Sequence, residues 1–402
     1  MSEIIFVAKE RVKVEARVAA SPETVRKYTA LGYSVIVETG AGISSCMPDA
    51  AYEAAGAEIA GTDAARKADI ILRVRRPIKH DAYKKGAIML AIFDPHGAED
   101  EIIALAKAKI TGFSMEFMPR ITRAQTMDVL SSQASLSGYQ AVIDAAEVYN
   151  RVIPMMMTAA GTVPAAKIFV MGAGVAGLQA IATARRLGAV VTANDVRAAV
   201  KEQVVSLGAK FIAVEDEEFR TAETVAGYAK EMSKKYQEKQ AALIAQHISR
   251  QDIVITTALI PGRPAPRLIT RSMLETMQLG SVLVDLAVEQ GGNVEGAVAD
   301  RIIEVNGIKI VGYANVPGRI AATASQLYAR NLYAFLEKMT DRKARRLAIN
   351  FEDELVKATL IIHDGKIVHS ALSSLCNSKE EAVSCKKQQA VTIEEMNHDG
   401  GF

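Results

Sequence analysis

Three glycines, in Gly172-Ala-Gly174-Val-Ala-Gly177, stand at the spacing of a phosphate-cradling turn, and an acid, Asp195, follows 23 residues after the first of them. The spacing alone says little, and its context decides. The apolar run Ile168-Phe-Val-Met171 precedes the glycines and the amphipathic stretch Val175–Leu187 follows them. Gly172 permits a tight turn, Gly174 lets the backbone approach a pyrophosphate, and Gly177 lets the following helix pack close to the strand. Val175 opens that helix, whose free N–H groups and positive dipole end suit phosphates. Asp195 stands where an acid accepts hydrogen bonds from a ribose 2′-hydroxyl. A carboxylate there repels a 2′-phosphate, so the motif selects NAD(H) over NADP(H). Arg197, two residues on, is of the type that accommodates such a phosphate and argues the other way.

A second group of polar residues lies in Met118-Pro-Arg120-Ile-Thr-Arg-Ala-Gln125-Thr-Met-Asp128-Val-Leu-Ser131-Ser-Gln133. Arginine, glutamine, aspartate and serine at this density suit the holding of a carboxamide and a ribose. They equally suit a solvated loop in which Asp128 or Ser131 caps the next helix. Composition leaves both readings open. Phe219–Met232, with Thr224-Val-Ala-Gly227-Tyr228-Ala-Lys230, has no clear periodicity. It reads either as a lid over a ligand or as a surface excursion.

Other chemistries find little support. The six histidines (His80, His96, His247, His363, His369 and His398) show no metal-ligand spacing with cysteine or carboxylate. There is no Gly-x-Ser-x-Gly elbow and no Walker loop. No residue stands out as the acid/base that a dehydrogenase of hydroxyl or amino groups needs. Gly40-Ala-Gly42 lacks a third glycine and a suitably placed acid, and reads as a turn. The three cysteines, Cys46, Cys376 and Cys385, are odd in number and widely spaced. That pattern argues against a disulfide framework and fits a reducing compartment.

The elements that must position these residues alternate between strand and helix. Ile4–Ala8, Ser34–Glu38, Asp69–Arg73, Ala87–Phe93 and Lys109–Ser114 read as strands, with helices at Pro22–Leu31, Asp49–Ala55 and Asp100–Ala108. A long helix at Ser132–Val148 leads into a second series of strands: Lys167–Met171, Val190–Asn194, Phe211–Val214, Asp252–Thr256, Ser281–Asp285 and Lys309–Gly312. A second long helix, Ala321–Met339, follows, and Leu360–Ile362 and Lys366–His369, joined by Asp364-Gly365, return to the first series. The expected fold is α/β: two Rossmann-like domains with parallel sheets, linked by two long helices, with a cleft between them. Residues 1–131 with 321–373 form the first domain and 132–320 the second, while 374–402 form a mobile tail.

With 402 residues and 50% hydrophobic content the chain has enough for two to three such cores. A net charge of +2 without a basic block argues against nucleic acid. The start of the chain reads as a strand rather than a signal peptide. The most apolar stretch, Val152–Leu178, is interrupted by Pro154, Pro164 and Lys167, so it reads as a linker and then a buried strand rather than a membrane span.

Val7-Ala-Lys-Glu10, Met118–Ser132, Met155-Met-Met-Thr-Ala-Ala-Gly-Thr-Val-Pro164, Gly172–Gly177, Asn194-Asp-Val-Arg197, Thr257-Ala-Leu-Ile-Pro-Gly262, Val284-Asp-Leu-Ala-Val-Glu-Gln-Gly-Gly-Asn293 and Asn315-Val-Pro317 occur in that order. Together they resemble the NAD(H)-binding component, domain I, of the proton-translocating nicotinamide nucleotide transhydrogenases, in a split-subunit form. The resemblance runs from Val7 to about His369. It implies a Re/Si-specific oxidoreductase and translocase that passes hydride between NADH and NADP+, the latter on a partner NADP(H)-binding domain (beta subunit), with membrane subunits on other chains. It further implies a homodimer, cytoplasmic and peripheral on the inner face of the membrane. Arg120, Ile121, Thr122, Gln125, Asp128 and Ser131 match the loop beside the nicotinamide. There Asp128 and Ser131 hold the carboxamide and Gln125 reaches towards the second nucleotide. Tyr228 matches a lid tyrosine. Asp195, Val196 and Arg197 match adenosine-side contacts, with Gly227, Gln240 and Leu259 lining the same site.

The alanine dehydrogenases share the fold and are the rival family. Their substrate lysine is replaced by Arg75 in Arg73-Val-Arg75-Arg76-Pro77. Their catalytic histidine has only a displaced neighbour, His96, and their aspartate before Gln-Gly-Gly is Glu289. An NAD-sensing protein that keeps the fold is the non-enzyme alternative.

Overall fold

A computed structural model describes residues 2–77, 83–95, 97–220, 233–260 and 263–372. The tail expected over 374–402 lies outside the described residues. The chain divides into two compact units, one from the residues up to Val12, Ala16–Val129 and Ser325 onward, the other from Lys13–Glu15 and Leu130–Ala324.

The first unit opens with strands β1 (Ile4–Val7), β2 (Ser34–Glu38), β3 (Glu58–Ala60), β4 (Ile70–Arg75), β5 (Ile88–Ile92) and β6 (Thr111–Ser114). Helices α1 (Pro22–Leu31), α2 (Asp49–Glu53) and α3 (Glu99–Lys107) lie between them, and α4 (Val129–Val148) carries the chain into the second unit. α1 starts where its sequence says it should. Ser21 accepts from the Thr24 N–H, Thr24 reciprocates, and Pro22 needs no donor.

The second unit holds β7 (Met156–Thr158), β8 (Gly161–Val163), β9 (Lys167–Met171), β10 (Val190–Asn194), β11 (Lys210–Phe211), β12 (Ile253–Thr256), β13 (Val282–Asp285), β14 (Arg301–Val305) and β15 (Ile308–Gly312). Its helices are α5 (Val175–Arg186), α6 (Lys201–Ser206), α7 (Glu217–Arg220), α8 (Lys234–Ile248) and α9 (Arg271–Leu274). The long helix α10 (Ala321–Lys338) returns the chain. The first unit then gains β16 (Thr340–Asp341), β17 (Arg346–Leu347), α11 (Glu354–Thr359), β18 (Leu360–His363) and β19 (Lys366–Ile367).

The first sheet has eight strands in the order β19-β18-β6-β5-β4-β1-β2-β3; the main second sheet has seven, in the order β11-β10-β9-β12-β13-β15-β14. Both are doubly wound, with the order reversing between β1 and β4 and between β9 and β12. The expected parallel sheets are found with one qualification. β18 and β19 join the first sheet antiparallel, and β14 joins the second antiparallel. β18 and β19 close as a hairpin over Asp364 (φ 46) and Gly365 (φ 78), the left-handed pair that an Asp-Gly turn favours.

Three local expectations change. The stretch read as a linker contains the antiparallel hairpin β7–β8, whose strand residues are exposed. The strand expected over Phe211–Val214 is confined to Lys210–Phe211, because only Thr192 and Ala193 at the sheet edge offer it a ladder. The helix expected from Ser132 begins at Val129.

Apolar strand faces explain the layers. In the second sheet Ile168 and Val170 look into one core with Ala180, Ile181 and Ala184 of α5. Phe169 and Met171, alternating with them, look into another with Ile244 and Ile248 of α8. The first sheet alternates likewise, Ile5 and Val7 against Phe6 and Ala8. Among the described residues no helix is long and apolar enough to cross a membrane.

Candidate functional site

β9 ends at Met171, and the chain turns at once. Gly172 has φ +101, and a Cβ there would lie 2.5 Å from Thr257 Oγ1. Its N–H donates to Asn194 O at 2.8 Å, tying the turn to β10. Gly177 is fixed by closer packing, since a Cβ would lie 1.8 Å from Gly172 O. Gly174 is different. It caps α5 in ordinary extended backbone (φ −77), and a Cβ there would meet nothing within 4 Å. The protein itself does not require glycine at 174; a group approaching the backbone would. Gly174 also gives α5 no side-chain cap. The first N–H groups of that helix therefore have no intrahelical partners, and Val175 at its tip is 41% exposed. An anion fits this tip.

Asp195 follows β10 and is buried. Its Oδ2 accepts the Ala173 N–H at 2.7 Å, so the acid braces the glycine turn from below. Oδ1 accepts the Arg197 N–H at 2.9 Å, and the Arg197 guanidinium closes on both oxygens, Nε to Oδ1 and Nη2 to Oδ2, each at 2.9 Å. Val196 between them is exposed. Gln240 of α8 donates from Nε2 to Asn194 Oδ1 at 3.3 Å, while Asn194 donates to Ile212 O. Gln240 Oε1 is buried and has no partner among the described residues. An orphaned acceptor beside the carboxyl end of β10 is what a ligand amino group would satisfy. Leu259, 49% exposed, stands after β12. Asp195, Val196, Arg197, Gln240 and the glycines are thus gathered at the carboxyl ends of β9 and β10. Gly227 and Tyr228, and with them the expected lid, lie outside the described residues.

Sequence reasoning assigned no role to three further groups. Thr257 donates from Oγ1 to Gly172 O at 3.1 Å, Asn194 links Gln240 to the edge of the sheet, and Asn293 holds Ala258 from both sides. All three stand within stretches that carry the resemblance, and that was their one available signal. Asp285, fully buried at the end of β13, organises the loop that carries Asn293. Burial raises its carboxyl above the ordinary range, against the opposing pull of the N–H groups of Val294 and Ala287.

The polar segment after β6 belongs to the first unit as far as Val129. Thr122–Met127 form a 3₁₀ turn. Ala124 and Met127 are buried in the core, and Asn331 donates to Thr126 O at 2.7 Å. Arg123 pairs with Asp353 and Glu354. With that face anchored, Arg120, Thr122 and Gln125 are exposed, and Ile121, Asp128 and Ser131 are half-buried.

The first unit repeats the strand order but not the chemistry. At its reversal, Glu10 accepts the Val74 N–H at 2.8 Å and pairs with the buried Arg73 at 3.4 Å. Glu38 accepts the Lys9 N–H and pairs with Arg11. Side chains of the chain's own occupy these strand tips, where the second unit presents bare backbone. The pair Gly40 and Gly42 forms a turn whose Gly40 N–H donates to Asp49, not a second phosphate loop. No group of histidines, cysteines and acids able to hold a metal occurs among the described residues.

Two family models match this chain. Alanine dehydrogenase/PNT, N-terminal domain, covers residues 6–137, and alanine dehydrogenase/PNT, C-terminal domain, covers residues 141–370. The chain belongs to this family. Within the family it is similar to an NAD(P) transhydrogenase alpha-subunit chain of Rhodospirillum rubrum, 52% identical over 378 residues, covering 92% of this chain and 98% of that protein. The crystal structure of transhydrogenase from Sinorhizobium meliloti superposes with a TM-score of 0.84 at 62% identity, over 91% of this chain and 100% of that one. Alanine dehydrogenase 1 of Staphylococcus aureus is more distant, 27% identical over 390 residues, 92% of this chain and 96% of that protein. The family resemblance and the two Rossmann-like units read from the sequence are both found, and the dehydrogenase relationship is the secondary one.

Proposed function

We propose that the chain is the NAD(H)-binding component of a proton-translocating, Re/Si-specific NAD(P) transhydrogenase. The observation that carries the reading is Gly174, whose backbone lies open at an uncapped helix tip above the braced Asp195. The tip of α5 neutralises the pyrophosphate, Asp195 accepts a ribose hydroxyl, and Gln240 Oε1 faces the adenosine half. Arg120, Ile121, Thr122, Gln125, Asp128 and Ser131 are assigned to the nicotinamide end, with Asp128 and Ser131 on the carboxamide and Tyr228 on the lid.

Bound NADH supplies the hydride, and NADP+ on a partner domain receives it. The residues of this chain then have one task, to hold one ring close to and correctly oriented against the other. Neither Gln125 nor Ser131 has to gain or lose a proton for that. The alanine dehydrogenase pattern is broken at Arg75 and at Glu289, whose carboxylate accepts the Asn315 N–H at 2.9 Å. His96 lies outside the described residues.

Membrane subunits on other chains would couple the exchange to proton translocation and hold this chain at the cytoplasmic face of the membrane. A homodimer is supported by the β7–β8 hairpin. There Met155, Met156 and Met157 are 60%, 43% and 81% exposed, and such apolar edges suit burial against a second copy.

The test mixes the purified chain with NADH and a transhydrogenase NADP(H)-binding domain carrying NADP+. Transfer of hydride to NADP+ is expected, and its absence leaves only the sensor reading. Rapid loss of NADH with pyruvate and ammonia would make the chain a dehydrogenase instead.

A further inference from the structure

α4 carries a glycine that its own backbone does not require. Gly138 lies in the middle of Val129–Val148, in a helical conformation that any residue adopts. Glycine there weakens a helix relative to alanine. Close contact explains it. A Cβ at Gly138 would lie 2.0 Å from Ala176 O and 2.8 Å from the Ala176 carbonyl carbon. Both are backbone atoms in the first turn of α5, so no side chain can swing aside. Packed atoms rest at roughly 3.5 Å, so a methyl group fits only if the two helices part by on the order of 1 Å. The touched peptide matters too, because Ala176 O stands opposite the Gly177 N–H. The first bond within α5 runs from the Leu178 N–H to Gly174 O at 2.8 Å. The N–H groups of Val175, Ala176 and Gly177 are therefore the ones turned towards an anion. α4 bears on the back of a peptide whose front faces the pyrophosphate.

α4 also reaches past the tip that it touches. After Gly138, Ala141, Val142 and Ala145 share a core with Ala180, Ile181 and Ala184 of α5. Just beyond the far end of α5, a Cβ at Gly188 would lie 2.9 Å from the Pro154 Cβ. The two helices thus run abreast in the same direction, and the residues before Gly138 extend beyond the N-terminus of α5. At 1.5 Å per residue, residues 130–137 project by about 12 Å. The N-terminus of α5 stands at the carboxyl end of β9, so this overhang passes over the strand tips, where a dinucleotide lies. The buried Gln133 steadies it by donating from Nε2 to Ala324 O at 3.2 Å. Ser131 stands seven residues before Gly138. That is two turns, so the two residues share one face of α4.

We infer that Gly138 is a positioning residue for the nucleotide: its bare α-carbon seats α4 on the tip of α5 and so sets the distance between the pyrophosphate-binding N–H groups and Ser131. The inference rests on the nucleotide reading of this site. Gly138 is buried and touches no ligand itself. One ligand has to meet both the helix tip and Ser131. A shift of α4 by on the order of 1 Å separates contacts that must be made together.

The experiment measures NADH affinity, by the fluorescence of NADH, on the full chain and on Gly138→Ala, Ser131→Ala and the double variant, with urea unfolding of each. Each single variant should raise the NADH dissociation constant by roughly tenfold. Because one acts through the other, the double variant should bind within about twofold of the weaker single variant. Losses that multiply would mean that Gly138 acts apart from Ser131. Unchanged affinity in Gly138→Ala, whatever its urea midpoint, would show a merely structural role, and a Ser131→Ala chain that binds normally would leave Gly138 nothing to position. Each of these results overturns the inference. Where Gly138→Ala folds poorly, hydrogen exchange on the unmodified chain decides: NADH should slow exchange at residues 130–134 together with residues 175–177, and slowing at 175–177 alone overturns it. Gly174→Ala separates the two ideas. Unchanged NADH affinity in that variant defeats the nucleotide reading itself. Loss of binding there with a silent Gly138→Ala defeats the positioning role alone.

Discussion

Arg197 grips Asp195 with both arms of its guanidinium, Nε and Nη2 each 2.9 Å from a different carboxylate oxygen. If Asp195 repels a 2′-phosphate, as proposed, it thereby also occupies the base that would welcome one. Such a fork-on-fork pair is strong and directional. On that reading, removing the charge has two consequences at once, a weaker hold on the ribose hydroxyl and release of a cation. Asp195→Asn should therefore weaken NADH binding and reduce the preference for NADH over NADPH by roughly tenfold. Competition titrations of the two nucleotides check this; an unchanged ratio would remove Arg197 from the specificity argument.

Gly174 and Gly177 look alike in the motif and should behave oppositely. A Cβ at 177 would lie 1.8 Å from Gly172 O, whereas one at 174 meets nothing within 4 Å. Gly177→Ala should destabilise the fold by about 3 kcal/mol, since an overpacked contact must move the backbone. Gly174→Ala should leave stability within about 0.5 kcal/mol and cost NADH affinity roughly tenfold or more. Urea unfolding of the two variants beside an NADH titration gives both numbers. A Gly174→Ala chain that binds NADH normally contradicts the pyrophosphate placement.

The glycine turn and Asp195 were legible because their signal is local: an apolar run, three glycines at fixed spacing, an acid at the next strand end. The closure of Arg197 on Asp195 was not, because sequence gives proximity but no side-chain geometry. Thr257 and Asn293 lie far along the chain from Gly172, and their bonds exist only once β9, β12 and β13 lie side by side. The β7–β8 hairpin was hidden for another reason. Its methionines are exposed, so they alternate with nothing, and two flanking prolines read as a linker. At β11 the apolar Ala213 and Val214 pack against the core without pairing, so hydrophobicity overstated the strand. The passage of Lys13–Glu15 into the second unit, where Asn315 Nδ2 donates to Val14 O, has no signature in those three residues.

Gln125 offers a test of chemistry separated from binding. It is exposed on a turn that Ala124 and Met127 anchor in the core, so shortening it removes reach without disturbing packing. If it aligns the second nucleotide, Gln125→Asn should slow hydride transfer to a partner-bound NADP+ by on the order of ten- to a hundredfold, the cost of a displacement near 1 Å. NADH affinity should stay within about twofold. Stopped-flow transfer with an NADP(H)-binding domain, set against an NADH titration, separates the two. A large affinity loss would assign Gln125 to the NADH side instead.

Acid stability should depend on Glu23, in the first turn of α1. It bonds Arg330 of α10 at 2.6 Å and Lys27 at 2.8 Å, and the Arg330 and Lys27 bonds hold its carboxyl at about 2, below the ordinary 4.5. A carboxyl depressed in the folded state contributes stability above its unfolded value and loses it as pH falls towards the folded one. The contribution is therefore complete above about pH 4.5 and gone near pH 2. Because its side chain is 37% exposed, solvent screens the pair, and its worth is at most about 1 kcal/mol. Glu23→Gln should lower stability at pH 6 by up to that amount and cost nothing at pH 2. Urea midpoints of the two chains, compared from pH 6 downwards, should converge between pH 4.5 and 2. A gap that stays constant with pH would mean that Glu23 contributes through packing rather than through its charge.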